Sequence, residues 1–369
     1  MRILYVEKKT NLSGQVVRTL GDIWGLKRRG HEVTLACQPD GVIGPRAQEA
    51  GARVITLPMS GMKLYSSALN LRRRIRSGGF QLVHTSGPRS NLLGALALLG
   101  VRGVALVYTK HNMVPLRNGP FSRALYAHFT THIVAVCNAV RDMLIDNGIP
   151  AQNISVICNS VDPVRFSPRP KDEKLLKELC LSAEDIVVGM AGRLGSSSVD
   201  APTLLRAFQK LRPRYSHLRL LMVGRGSEAT AKLAAELGVA DGVVLPGFTD
   251  DMPAMLSLVD LFVQPNARSA LSTALLQAMA AARPVVATRV GGNLEAVDDG
   301  STGRLCPPGD PEAMAGTIAE MIERPAEMEE MGQRGRDRAL ELFSPERMAQ
   351  QLEAIYAKVI NAHTRCGKD

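Results

Sequence analysis

Arg2-Ile3-Leu4-Tyr5-Val6 opens the chain, a helical stretch follows at 14–29, and Glu32-Val33-Thr34-Leu35-Ala36 comes next. The two short aliphatic runs have the length and composition of strands covered by helices, as in parallel sheets. Between them Val16, Val17, Leu20, Ile23, Trp24 and Leu26 form one apolar helix face, and Gly30 stands just past its end, where a glycine commonly closes a helix. Strand, helix, strand in this order is a βαβ unit.

The same alternation runs outward through the chain. Further strands are expected at 53–57, 82–84, 105–108, 133–136 and 154–157. Asp162-Pro163-Val164-Arg165-Phe166-Ser167-Pro168-Arg169-Pro170 is rich in proline and is the best linker candidate. The pattern then restarts, with strands expected at 186–191, 218–223, 243–245, 261–264 and 284–287. A last helix is expected from Pro345 to about Asn361, with Ser344 as N-cap and Pro345 at its first position. A chain of 369 residues exceeds the roughly 250–300 residues at which single cores stop growing. The expected organisation is an N-terminal domain at 1–165, a second at 170–343, and a C-terminal helix at 344–362 packing back on the first. Two successive doubly wound domains facing across a cleft is the natural architecture.

Hydrophobic residues make up 45% and charged residues 22% of the chain, ordinary proportions for a globular protein. The six cysteines are scattered with no CxxC pair, which reads as small apolar residues or thiols in a reducing compartment. The N-terminus enters a strand directly, unlike a signal peptide. The most apolar stretch, 92–107, is interrupted by Gly100, Arg102 and Gly103, so no membrane span is expected. A cytoplasmic protein is the expectation. The net charge of +10 is uneven: residues 1–170 hold 22 Lys and Arg against 8 Asp and Glu. The densest cluster is Arg72-Arg73-Arg74 with Arg76, near Lys63. It is either a solvated helix face or a surface for an anionic partner. No nucleic-acid motif accompanies it, and nucleic acid is not expected.

Gly224-Arg225-Gly226-Ser227-Glu228-Ala229 is formally GxGxxA between a strand and a helix, the weakest form of a dinucleotide fingerprint. The first strand has no such loop after it. Phosphate-loop and zinc-protease motifs are missing too.

Several modest signals in fixed order carry more weight. Gly30-His31-Glu32-Val33-Thr34, Val83-His84-Thr85 and Thr109-Lys110-His111 come first. Asn159-Ser160-Val161-Asp162 with Phe166, Gly192-Arg193-Leu194, Val223-Gly224-Arg225-Gly226 and Pro246-Gly247-Phe248 follow. The run from Gln277-Ala278-Met279 through Ala282-Arg283-Pro284-Val285-Val286-Ala287-Thr288 to Gly291-Gly292-Asn293-Leu294-Glu295 closes the series. Together they resemble the family-4 retaining glycosyltransferases over nearly the whole chain; the last run is similar to their EAMAxGxPVVATxxGGxxE.

The resemblance implies the GT-B fold, α/β with two Rossmann-like domains. It implies transfer of a sugar from a nucleoside-diphosphate sugar, with retention, to a cell-surface glycan or lipid-linked acceptor, as in polysaccharide or lipopolysaccharide biosynthesis. The nucleotide sugar is then a substrate; no cofactor and no metal is expected. Without a metal, the leaving diphosphate needs cations, backbone N–H groups and a helix N-terminus. The family's diphosphate-contacting arginine falls on Arg193, for which a plain surface arginine is the other reading. Gly224, Gly226, Gly247 and Phe248 fall on its strand-end loops, and Leu271, Ser272 and Thr273 on the helix start beside the phosphate. Gly14 matches its glycine loop and His111 the histidine facing the donor sugar; a turn glycine and a buried, satisfied histidine are the plainer readings. His84 carries a weaker match.

Three positions depart from the family. Ser269 and Gln277 stand where two glutamates are expected, for the sugar and the ribose respectively. The stretch Gly195-Ser196-Ser197-Ser198-Val199-Asp200 lacks the family's lysine. The missing cation removes a charge-assisted contact of about 1.5–3 kcal/mol. Gln277 keeps an amide for a ribose diol. Three readings stay open: an active transferase with an altered donor site, a non-catalytic or weakly active relative that binds nucleotide, glycan or a partner enzyme, and another GT-B enzyme such as an epimerase. An anionic membrane surface is a candidate partner, with a peripheral position on the inner face of the cytoplasmic membrane.

Overall fold

The computed structural model describes residues 1–61, 63–116, 119, 124–196 and 199–366. The chain divides into two compact units. One is Met1–Ser160 joined by the segment from Pro345 onward, and the other is Val161–Ser344.

The first unit alternates strands and helices: β1 (Arg2–Glu7), α1 (Gly14–Arg28), β2 (Glu32–Cys37), α2 (Ile43–Glu49), β3 (Arg53–Thr56), α3 (Lys63–Gly78), β4 (Leu82–Ser86), α4 (Pro88–Leu98), β5 (Ala105–Lys110), β6 (His132–Ala135), α5 (Asn138–Asp146) and β7 (Ile154–Val156). A π-helical turn, Leu125–Phe129, precedes β6. The strands form one parallel sheet in the order β3-β2-β1-β4-β5-β6-β7. β1 pairs with β2 from Arg2↔Glu32 to Glu7↔Cys37, and with β4 from Ile3↔Leu82 to Glu7↔Ser86. Central strands are buried on both faces, which is why they read as unbroken aliphatic runs.

The second unit runs α6 (Glu173–Glu178), β8 (Ile186–Ala191), α7 (Ala201–Leu211), β9 (Leu218–Val223), α8 (Glu228–Glu236), β10 (Val243–Gly247), α9 (Met252–Ser257), β11 (Leu261–Gln264), α10 (Thr273–Ala280), β12 (Val285–Thr288), α11 (Asn293–Ala296), β13 (Arg304–Cys306), α12 (Pro311–Ile322) and α13 (Pro325–Leu342). Its parallel sheet has the order β10-β9-β8-β11-β12-β13. Leu204, Leu205, Phe208 and Leu211 of α7 pack on Val188, Leu218 and Leu220 in its core. Asp200 fixes where α7 starts, accepting from the Thr203 backbone N–H at 3.1 Å and its hydroxyl at 2.7 Å.

The last helix, α14 (Pro345–Cys366), packs along α1 in the first unit, burying Met348, Leu352, Tyr356 and Val359. The apolar-stripe reading of α1 does not anticipate that the helix also buries Arg18, Thr19 and Asp22. Arg18 Nε donates to Asp22 at 2.7 Å, and its Nη1 donates to the carbonyls of Ile157 and Cys158, both at 2.9 Å. A buried charge needs this pairing and these acceptors.

Two sequence expectations change. The 162–170 stretch is no loose linker but part of the second unit. Asp162 accepts from the Val164 and Arg165 backbone, Phe166 is buried, and Arg283 donates to the Arg169 carbonyl at 2.8 Å. β13 has no counterpart among the expected strands: Arg304-Leu305-Cys306 offers one aliphatic residue and no apolar run.

Candidate active site

In the second unit the winding reverses between β8 and β11, because β9 and β10 add on one side and β12 and β13 on the other. At such a switch point the loops leaving neighbouring strands diverge, opening a crevice outside the carboxyl ends. Arg193 follows β8, Gly224 and Gly226 follow β9, Gly247 ends β10 and Phe248 comes next. Ser269, Leu271 and Ser272 follow β11, and Thr273 and Gln277 belong to α10. All the candidate residues of this unit therefore lie along one edge of one sheet.

Backbone bonds lace these loops together. Gly192 N–H donates to the Val223 carbonyl at 3.0 Å, Leu194 N–H to Arg225 at 2.9 Å, and Gly224 N–H to Gly247 at 2.8 Å. At two crossings only glycine fits. Gly224 has φ +151°, and a Cβ there would lie 1.7 Å from the Gly192 carbonyl oxygen. Gly291, at φ +50°, would place its Cβ 1.7 Å from the Ser269 carbonyl oxygen. A side chain at either site would push backbone apart.

A buried polar chain behind the β11 loop holds the start of α10. Ser272 Oγ accepts from the Leu275 N–H at 3.3 Å and donates to Gln264 Oε1 at 2.8 Å. The Gln264 amide donates to Asn266 Oδ1. The Asn266 N–H donates to Thr288 Oγ1 at 3.0 Å, and Asn293 Nδ2 donates to the Thr288 carbonyl at 3.0 Å. Asn293 Oδ1 is buried without a partner among the described residues. Sequence reasoning missed this support, since scattered Gln, Asn and Thr carry no spacing signal.

What the site offers a ligand follows from these placements. Arg193 is exposed and makes no ion pair or side-chain hydrogen bond among the described residues. Arg225 lies 4.5 Å over the ring of Phe248, itself 44% exposed, a cation–π pair at the rim. The capped N-terminus of α10 presents backbone N–H groups suited to an anion. Ser269 is buried and its hydroxyl turns back to the Ala270 carbonyl at 2.5 Å. Gln277 is half-buried, and its amide bonds no described side chain. Ser197 and Ser198, in the stretch where the lysine is missing, lie outside the described residues.

The first unit has its own switch point, between β1 and β4. Gly14 is the first residue of α1, after the N-cap Ser13. The next residue, Gln15, donates through its amide to both oxygens of Glu7, at 3.0 and 2.8 Å, at the end of β1. Burial pushes the Glu7 carboxyl up to about 7, against the hydrogen bonds from Lys9 and Gln15. His111 follows β5. Its Nε2 is shut off from solvent without a described partner, and burial, helped by Arg18, His84, Lys9 and Lys110, holds the ring well below the usual histidine range. Lys110 is buried, donates to the Val114 carbonyl at 2.6 Å, and is pushed down to about 8 by burial. His84 is a framework residue: its Nε2 meets Thr109 Oγ1 at 2.6 Å, its Nδ1 meets the Tyr356 hydroxyl, and Tyr5 stacks on it at 4.6 Å.

Two doubly wound parallel units, with glycine loops and a capped helix start gathered on the carboxyl edge of the second, define the GT-B class of glycosyltransferases. The pattern described as Glycosyltransferase Family 4 matches residues 13–165, and that described as Glycosyl transferases group 1 matches residues 185–324. The chain belongs to the family-4 glycosyltransferases. It is 28% identical over 335 residues to alpha-maltose-1-phosphate synthase of Mycolicibacterium smegmatis, covering 81% of this chain and 84% of that enzyme. It is 30% identical over 229 residues to MMP alpha-(1->4)-mannosyltransferase of Mycolicibacterium hassiacum, a match spanning 61% of this chain and 53% of that enzyme. Among solved structures it is similar to Anabaena HepE in complex with UDP-glucose, with a TM-score of 0.85 and 21% identity over 97% of this chain and 100% of that one.

Proposed function

We propose that the protein transfers a sugar from a nucleoside-diphosphate sugar to a glycan or lipid-linked acceptor, with retention and without a metal. The observation that carries this is the convergence of Arg193, the glycine-locked strand ends and the capped start of α10 on one carboxyl edge. Arg193 and the α10 backbone N–H groups would neutralise the departing diphosphate. Gln277 would hold the ribose through its amide, and the Arg225–Phe248 pair would border the base. His111, kept neutral, is the first unit's candidate hydrogen-bond partner for a sugar and would not act as a cation. A mannosyltransferase among the relatives supports sugar transfer, and HepE was solved with UDP-glucose, a donor of this class. We place this activity in the cytoplasm, at the inner face of the membrane when the acceptor is lipid-linked.

Incubation with a panel of UDP-, GDP- and ADP-sugars, with chelator present, tests the proposal. Release of nucleoside diphosphate and an α-linked product from an α-donor are expected. Turnover that vanishes with chelator, or an inverted anomer, contradicts it. A second reading, a binding protein with little turnover, is favoured by one observation: neither Ser269 nor Gln277 supplies a carboxylate, and the Ser269 hydroxyl is committed to backbone. Under that reading nucleotide binds, but no nucleotide sugar in the panel is consumed.

A further inference from the structure

From Ala50 to Arg141 the chain contains no aspartate or glutamate, yet twelve lysines and arginines. A solvated surface normally mixes both signs, and a run this long with one sign gives its part of the first unit a uniform positive field. The described cations from Arg53 to Arg102 make no ion pair with any described residue.

The field is focused on one helix. α3 carries Lys63, Arg72, Arg73, Arg74 and Arg76 and no acid. Tyr65, Leu69, Arg73 and Arg76 recur at helical spacing along one face. Tyr65 is 67% and Leu69 54% exposed, on a helix whose opposite face buries Ala68, Leu71 and Ile75. Folding of this unit does not account for two large apolar side chains left in water beside arginines that meet no described acid. Nor does the patch stop at α3. Arg72 donates to the Leu96 carbonyl at 2.8 Å and Arg76 to the Gly100 carbonyl at 3.1 Å. These bonds tie α3 to the end of α4, where Leu99 is 43% exposed and Arg102 is exposed.

We infer that the exposed face of α3, with the end of α4, docks the protein on an anionic phospholipid bilayer. Apolar side chains flanked by cations suit that partner. Tyr65 and Leu69 would enter the headgroup boundary while the arginines meet lipid phosphates. Nucleic acid would use the charge but leave Leu69 and Leu99 without a role, and an acidic protein would need no acid-free stretch of this length. The inference rests on this surface and not on the donor site, and vesicle binding is read without turnover.

The test is flotation of the full chain with vesicles of phosphatidylcholine, with and without phosphatidylglycerol. Binding to the anionic vesicles alone is expected, weakening as salt rises. With each surface cation contributing about a fivefold factor, Arg73→Gln/Arg76→Gln should weaken binding about thirtyfold. Tyr65→Ser/Leu69→Ser should weaken the binding that survives high salt. All four side chains are exposed, and an unchanged Tm shows that the variants remain folded; Arg102→Gln, outside α3, gives a second reading should either double variant misfold. Equal flotation with neutral vesicles, full binding by both double variants, or tight capture of duplex DNA with no vesicle binding would each overturn the proposal.

Discussion

Ala282 has φ +55°, in the left-handed region, at the position where the family's run carries glycine. Its carbonyl is packed against Gly332, where a Cβ would lie 2.5 Å from that oxygen, so the turn between α10 and β12 has little room to relax. An alanine there stores about 1–2 kcal/mol. Ala282→Gly should therefore raise stability by about 1 kcal/mol, read as a shift in urea midpoint at constant m. A decrease would show the turn to be unstrained. Glu7 gives a pH signature. Its folded pKa of about 7 lies above the ordinary carboxyl value of 4.5, so its contribution is fully present below pH 4.5 and is lost as pH rises through 7. The stability difference between Glu7→Gln and the parent should therefore shift in favour of the variant by about 3 kcal/mol between pH 4.5 and pH 8. A pH-independent difference would contradict the buried, proton-holding carboxyl. Neither residue could be found by pattern: Ala282 differs from glycine by a methyl whose strain is visible only in φ, and Glu7 looks like the polar end of a strand.

At the scale of elements, α10 is the helix whose N-terminus we propose for the diphosphate. Ser272 caps it and is itself held by Gln264. Ser272→Ala should cost about 1 kcal/mol from the lost cap, and more because Gln264 Oε1 loses its donor; nucleoside-diphosphate affinity should fall with it. Denaturant unfolding and calorimetry check the two effects, and an unchanged affinity would separate the helix start from the ligand. The strands were legible because parallel strands between helices are continuous aliphatic runs: 186–191, 218–223 and 261–264 match β8, β9 and β11 to the residue. The start of α10 was legible from Ser272 and Thr273, whereas its Gln264–Asn266–Thr288–Asn293 support was not, because it joins side chains distant in sequence. α1 shows the same limit: periodicity marked its apolar face but not the Arg18–Asp22 pair, which is buried and bonded to the distant carbonyls of Ile157 and Cys158.

For the whole molecule, the family is one of sugar transferases, and the donor edge we propose for the second unit lacks the two carboxylates expected at Ser269 and Gln277. Acid should destabilise the first unit. His84 is pushed down to about 3 and His132 to about 4 by burial, so both contribute stability that is fully present above pH 6.5 and is lost progressively as pH falls from 6.5 towards those values. The urea midpoint should therefore be lower at pH 4.5 than at pH 7, even though Glu7 works in the opposite direction. A higher midpoint at pH 4.5 would mean the two rings are not held neutral. The most direct test of the central claim is calorimetric titration of UDP, GDP and ADP into the parent and Arg193→Ala. The account predicts that at least one nucleoside diphosphate binds the parent and binds the variant about tenfold to a hundredfold more weakly. No binding of any of them at millimolar concentration, or equal affinity for both proteins, would contradict it.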